Sequence, residues 1–151
     1  YNNRILNIHP AITEIGNPNR LPGLTPTRDA FTRAVLGYII IDDKHAVDIP
    51  EGHKIDVVYD GKKRNAVQVP KNNITGVTVH VVTERVDNGP VVLCKTYEFE
   101  AEGTTPERIR AGNYEIKREL LPQAIMEYAA RPEVQRLILQ GRHNNGDYKQ
   151  T

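Results

Sequence analysis

Four polar side chains stand in or beside segments whose other residues favour apolar β-strands. Asn7 and His9 occur in RILNIHPAI (4–12), one strand period apart, so both would lie on the same face of a strand. His80 lies within GVTVHVVTE (76–84), and Asp87 follows in the next turn. An amide, an imidazole and a carboxylate suit acyl or formyl transfer to an amine, because that reaction needs an oxyanion stabilised and a proton removed from the attacking nitrogen.

Each of these residues also has an ordinary structural interpretation. Asn7 could end a strand, His80 could be a satisfied core histidine, and Asp87-Asn88-Gly89 is a common turn sequence. They indicate a catalytic site only if the fold brings them together. Since ligands bind beyond the carboxyl ends of strands in open α/β sheets, we expect Asn7, His9 and Asp87 to meet there, with His80 beside them.

Length and composition limit the possible classes of protein. The 151 residues suffice for one domain with a buried core, and the net charge of +1 favours neither nucleic acid nor a membrane surface as a partner. No apolar segment approaches the roughly 20 residues of a membrane-spanning helix. The single cysteine, Cys94, is predicted to be a small core residue and indicates a reducing, cytoplasmic location. Because the sequence begins at Tyr1 and its only methionine is Met126, we expect a longer natural protein.

The hydrophobic pattern predicts an α/β fold with an open mixed sheet and flanking helices. A short strand at 4–8 precedes a loop rich in Gly, Pro and Asn, and a threonine-capped helix is predicted from 27 to 36. Two β-type runs between 37 and 73, joined by an Asp-Gly turn at 60–61, predict a β-hairpin insertion.

The second half of the chain is predicted to hold two central strands and a long helix. The runs 76–84 and 89–101 are β-branched and largely apolar, which is typical of central strands. The helix is predicted to begin after Thr104 or Thr105, and Pro122 is expected to kink or divide it.

Metal chemistry receives no support from the sequence. The five histidines lack the close spacing of metal ligands, and no HExxH, CxxC or EF-hand pattern occurs. His45 and His53 fall within the 37–73 segment and are predicted to lie on its surface. We therefore predict no metal site.

Several segments of the chain resemble the phosphoribosylglycinamide formyltransferase family. The resemblance rests on ILNIHPA, LPGLTPTRDAF, GVTVHVVTERVDNGPVVL and RELLPQAI, and it covers residues 5–23, 25–34 and 76–125. It implies that the chain is the C-terminal part of a formyltransferase-like, Rossmann-type domain, interrupted by the 37–73 insertion. It also implies 10-formyltetrahydrofolate as co-substrate and a primary amine as acceptor. The family's acceptor is glycinamide ribonucleotide of purine biosynthesis.

The resemblance implies a role for each candidate residue. Asn7 would hydrogen-bond the formyl oxygen, and His9 would stabilise the oxyanion and pass a proton. Asp87 would orient His9 and accept the amine proton, while His80 would position Asp87. The pterin of the donor would bind along one loop, largely through its backbone, at Val82, Thr83, Glu84, Asp87, Asn88 and Gly89.

Departures from the family pattern leave other functions open. The family's N-terminal half, which holds substrate phosphate, is not in this sequence, so the 151 residues alone are expected to be inactive. Lys117 stands where the family has a ribose-contacting glutamate. The alternatives are a formyltetrahydrofolate hydrolase, a formyltransferase acting on a sugar or tRNA amine, and a non-catalytic interaction module. In the last case the 37–73 segment would contact a protein partner or a second copy of the chain.

Overall fold

The computed structural model of the protein describes residues 5–85 and 87–147. The strands within these residues form two antiparallel three-stranded sheets, ordered β1-β5-β6 and β2-β4-β3. The elements are β1 (Leu6–His9), α1 (Pro26–Phe31), β2 (Tyr38–Ile40), β3 (Lys54–Tyr59), β4 (Lys62–Gln68), β5 (Ile74–Val81), β6 (Val91–Glu98), α2 (Pro106–Ala129) and α3 (Pro132–Asp147). The predicted α/β class is confirmed. The described strands, however, pair only antiparallel, in two sheets rather than one mixed sheet.

The first sheet is organised by the alternating sequence of its middle strand, β5. Val77, Val79 and Val81 face one side of the sheet, where they form the main core with apolar residues of α2. Each valine buried in this way contributes roughly 1.5–3 kcal/mol to folding. Thr78 and His80 face the opposite side, because successive strand residues point in opposite directions. The period of two thus gives β5 one apolar face and one polar face.

Strand β6 lies at the edge of the described sheet, so its predicted central position is wrong. Lys95, Thr96 and Glu98 are exposed, and such polar side chains discourage pairing with another chain. Cys94 is half-buried rather than fully in the core. It lies opposite Thr78, whose hydroxyl oxygen is 3.4 Å from Sγ, and burial raises the pKa of the thiol.

The long helix α2 begins where the sequence indicates. Thr105 is its N-cap and accepts a hydrogen bond from the Arg108 N–H at 3.2 Å, and Pro106 is the first helical residue. Pro122 does not divide α2, which continues unbroken to Ala129. Pro122 is exposed, so its side of the helix borders solvent, where water can satisfy the carbonyl that loses its partner.

The segment 37–73 forms the second sheet. The helical path that begins with α1 continues as one π-helical stretch, Thr32–Leu36, and ends at Gly37, whose φ of 72° is left-handed. Strands β3 and β4 form the predicted hairpin, with Asp60 and Gly61 both at positive φ. Strand β2 pairs with β4, so the segment is a three-stranded sheet rather than a hairpin alone. In the described part of the chain, no helix is sufficiently long and apolar to cross a membrane.

Candidate active site

Asn7, His9, His80 and Asp87 form one cluster on the polar face of the first sheet. Strand pairing places Asn7 directly opposite His80, and the amide nitrogen of Asn7 lies 3.4 Å from Nε2 of that histidine. Oδ1 of Asp87 lies 3.3 Å from Nδ1 of His9 and 3.7 Å from Nε2 of His80. A donor amide, two imidazoles and a carboxylate are thus linked in one chain of contacts, Asn7–His80–Asp87–His9.

These residues come together, but not at a shared carboxyl edge of the strands as the sequence predicts. Because β1 and β5 are antiparallel, their carboxyl ends lie at opposite ends of the pair. The loop 82–90 instead returns toward β5, closed by a 2.9 Å hydrogen bond from the Val81 N–H to the Pro90 carbonyl. A Cβ on Gly89 would lie 1.6 Å from the Val81 carbonyl oxygen, so only glycine permits this close return.

Asp87 is the centre of the cluster. Its side chain is 4% exposed, and its Oδ2 accepts a hydrogen bond from the Gly23 N–H at 2.9 Å. Its φ of 60° lies in the left-handed region, which Asp tolerates better than most residues. Burial alone would raise the pKa of Asp87, but the interactions with His80, the Gly23 N–H and His9 outweigh it and lower the pKa.

His9 is buried and has an acceptor at each ring nitrogen. Nε2 lies 2.8 Å from the Leu21 carbonyl oxygen, so this nitrogen carries a hydrogen and donates it. Nδ1 then faces the Asp87 carboxylate, where a second proton would be stabilised. Burial lowers the pKa of His9 below its ordinary value, and the Leu21 carbonyl and Asp87 offset only part of that effect.

His80 lies between the exposed Asn7 amide and the buried Asp87 carboxylate. Its Nδ1 lies 3.1 Å from the Val81 carbonyl oxygen and donates to it, which leaves Nε2 between the Asn7 amide and Asp87. Its interaction with Asp87 raises the pKa of His80. Asn7 is exposed while the other three residues are buried, so the cluster presents the amide to solvent.

The predicted folate-binding residues lie on the 82–89 loop but differ in accessibility. Thr83 and Glu84 are exposed, and Thr83 Oγ1 donates to the Arg85 carbonyl at 3.2 Å. The Val82 N–H is already bonded to the Ile5 carbonyl at 2.9 Å, so it is not open to a ligand.

The far end of the loop is held by protein contacts. Gly89 is buried, and the Asn88 side chain accepts a 2.6 Å hydrogen bond from Nη2 of Arg20. Val86 lies outside the described residues.

Two supporting residues were missed by the sequence analysis. Arg20 connects the 82–89 loop to the loop after β1, since its Nε also donates to the Thr13 carbonyl at 3.0 Å. Asn113 of α2 donates to the Pro10 carbonyl at 3.2 Å and accepts from the Tyr97 hydroxyl, which fixes the chain just after His9. A signal for Asn113 exists, because it interrupts an apolar helical stripe between Ile109 and Leu120.

The other candidate ligands lie apart from this cluster. His45 and His53 are exposed on the 37–73 segment. Among the residues with described positions, no group of three or more His, Cys, Asp or Glu side chains is arranged to hold a metal ion.

Comparison with solved structures relates the fold to formyltransferases. PvdF of pyoverdin biosynthesis, a structurally unique N10-formyltetrahydrofolate-dependent formyltransferase, matches with a TM-score of 0.60 and 23% identity over 85% of this chain and 41% of its own. Phosphoribosylglycinamide formyltransferase from Campylobacter jejuni subsp. jejuni NCTC 11168 matches with a TM-score of 0.46 and 16% identity, over 81% of this chain and 42% of its own. Glycinamide ribonucleotide transformylase 1 from Symbiobacterium toebii matches with a TM-score of 0.42 and 27% identity, over 93% and 41%.

Two further comparisons give no match: no protein-family model fits the sequence, and no curated protein is similar to it. The chain spans about two fifths of the length of the solved structures that it matches. The resemblance to formyltransferases that the sequence predicts is confirmed at the level of the fold, as part of a formyltransferase-like domain.

Proposed function

We propose that the protein transfers a formyl group from 10-formyltetrahydrofolate to a primary amine, with Asn7, His9 and Asp87 as the catalytic residues. The observation that carries the proposal is the buried Asp87 carboxylate, shared by two imidazoles beside an exposed amide. A carboxylate–imidazole pair can move a proton, and an adjacent N–H can stabilise a developing oxyanion. The similarity of the fold to PvdF supports this choice among the possible acyl transfers.

The reaction forms a bond between the amine nitrogen and the formyl carbon and breaks the bond from that carbon to N10. The carbonyl oxygen carries negative charge in the tetrahedral intermediate between these steps. One N–H of the Asn7 amide faces His80. A carboxamide has two N–H groups, so the second can hydrogen-bond the formyl oxygen. The proton that leaves the amine ends on N10 of tetrahydrofolate, which balances the transfer.

His9 and Asp87 would move that proton. Asp87 is buried, so we assign it the amine proton through a water molecule rather than by direct contact. Transient protonation of His9 at Nδ1 is stabilised by Asp87 on one side of the ring and by the Leu21 carbonyl on the other. The positive charge of the resulting imidazolium would stabilise the oxyanion, and its Nδ1 proton would return through Asp87 and the same water molecule to the leaving nitrogen, while His80 positions Asp87.

Glycinamide ribonucleotide is the first acceptor that we propose, which would place the protein in cytoplasmic purine biosynthesis. Lys117 favours a second candidate, a different primary amine that carries no ribose. Its side chain is exposed on α2, with Nζ 5.8 Å from the centre of the Tyr114 ring. An ammonium group cannot accept hydrogen bonds from ribose hydroxyls, so an acceptor without the ribose would suit this position better.

The test is to incubate the complete protein with 10-formyltetrahydrofolate, with and without a panel of primary amines that includes glycinamide ribonucleotide. We expect formylated amine and tetrahydrofolate in equal amounts, and little free formate. Formate release that does not require an amine would identify a hydrolase instead. Folate binding measured by calorimetry without formation of either product would identify a non-catalytic module.

A further inference from the structure

A cavity of about 530 Å³ lies between the 18–22 loop, the Thr32–Leu36 stretch and the 37–73 segment. Its volume falls within the range of about 300–1,000 Å³ that is usual for small-molecule sites. Four cationic side chains and two carboxylates line it: Arg20, Arg33, Lys44, Lys71, Asp48 and Glu51. None of the four proposed cluster residues lines the cavity, although Arg20 in its wall also donates to Asn88 on the loop that carries Asp87.

Arg33 is the unusual group in the wall of this cavity. It is 6% exposed, and its Nη2 and Nη1 donate to the carbonyls of Ile74 at 2.6 Å and Asn19 at 3.4 Å. Its Nε has no hydrogen-bond partner among the described residues. A buried guanidinium normally has a carboxylate or phosphate partner, because desolvation of an unpaired charge is costly.

Two nearby carboxylates, those of Asp29 and Asp48, are already bound to other cations. Asp29 accepts from Lys44 at 2.6 Å and from Arg28 at 3.2 Å, and Arg28 also contacts Asp43 at 2.7 Å. Asp48 pairs with Arg20 at 3.4 Å. Within the described ranges, no carboxylate forms an ion pair with Arg33.

We infer that this cavity binds a small anion through a carboxylate or phosphate group that pairs with Arg33. Arg33 lines the cavity, and a guanidinium has five N–H donors, more than its two hydrogen bonds to carbonyls use, so it can also bind the oxygens of such a group. Lys71, exposed on the cavity wall, adds a second positive charge without requiring rearrangement of the core. The site does not depend on formyl transfer, so it can be tested independently of the proposed function.

The experiment titrates the complete protein with sodium malonate and, separately, with sodium phosphate, against sodium chloride at equal ionic strength. Binding is followed by amide chemical shifts or by calorimetry. Malonate and phosphate distinguish a carboxylate ligand from a phosphate ligand. We compare Arg33→Met, which keeps the apolar stem, with Lys63→Met, which removes an exposed cation of β4 outside the cavity.

We expect saturable binding of at least one of the two anions, weakened about tenfold or more by Arg33→Met and unchanged by Lys63→Met. Absence of saturable binding, equal binding by Arg33→Met, or equal weakening by Lys63→Met would overturn the inference. If circular dichroism shows that Arg33→Met does not fold, Lys71→Met replaces it. A severalfold loss then supports the site, and wild-type affinity overturns it.

Discussion

Among single residues, Asp87 has the widest influence, because its two oxygens contact three different parts of the chain. Oδ1 faces His9 and His80, and Oδ2 accepts from the Gly23 N–H. The carboxylate therefore raises the pKa of His80, offsets part of the effect of burial on the pKa of His9, and also holds the loop before α1. Removal of its charge should affect both the stability of the protein and the titration of the imidazoles that face it.

Asp87→Asn is expected to lower the free energy of unfolding by about 3 kcal/mol near pH 6, because it leaves a buried ionic partner uncompensated. The pKa of Asp87 is lowered from 3.8, so its contribution is present above pH 3.8 and is lost as pH falls through the lowered value. The pKa of His80 is raised from 6.5, so its contribution is present below pH 6.5 and is lost as pH rises through the raised value.

The difference in free energy of unfolding between wild type and Asp87→Asn should therefore be largest between pH 3.8 and 6.5. It should decrease below and above this range. Urea unfolding at a series of pH values measures it. Asp56→Asn, at an exposed position of β3, is the matched control and should change stability little. A pH-independent difference would show that Asp87 contributes packing rather than charge.

Among the elements, the loop between β5 and β6 matters most, since it carries Asp87 back to β1. Its return depends on the space at Gly89, where the Val81 carbonyl leaves no room for a side chain. The loop also depends on Arg20, which lies outside the loop and donates a hydrogen bond to the Asn88 side chain. Both contacts are made by residues other than the candidate catalytic ones.

Gly89→Ala should displace the loop, because the added Cβ would meet backbone rather than a flexible side chain. We expect a loss of roughly 2 kcal/mol or more in stability and weaker binding of a folate analogue, measured by thermal unfolding and calorimetry. Gly112→Ala in α2 is the control, because its Cβ would lie 3.6 Å from the Tyr97 hydroxyl. It should leave stability unchanged or slightly raised. Equal tolerance of both substitutions would mean that the loop does not need this close approach.

Pro122→Ala should stabilise the protein by about 1–3 kcal/mol, because Pro122 lies inside an unbroken, solvent-facing part of α2. Denaturant unfolding of the complete protein measures the change. Leu120 and Ala124 pack on β5 nearby, so a decrease in stability would show that a bend at Pro122 is needed for that packing.

The predictable elements are those with local signals. The Asp60-Gly61 turn and the Thr105-Pro106 helix start are each determined by neighbouring residues, and both occur where the sequence places them. The edge position of β6 was not predicted, because it depends on which strands pair in the fold. The continuity of α2 was not predicted either, because a proline is tolerated inside a helix only where its side of the helix faces solvent. The hydrogen bond of Asp87 to Gly23 spans 64 residues, and no local pattern indicates such a partner.

For the molecule as a whole, two small sheets and α2 support one polar cluster and one cationic cavity. The apolar face of the first sheet packs on α2, and its polar face carries the cluster. The second sheet forms part of the cavity that contains Arg33. The proposed function requires that the cluster, and not merely the fold, act on the formyl group.

Asn7→Ala and His9→Ala in the complete protein decide that point, with formylated amine as the measured product. Loss of an oxyanion donor or of a proton-transfer group lowers kcat by about 100-fold or more, and we expect a decrease of this size in each variant. His53→Ala removes an exposed histidine of the 37–73 segment and should leave kcat unchanged. If Asn7→Ala and His9→Ala retain wild-type kcat, the reaction does not take place at this cluster.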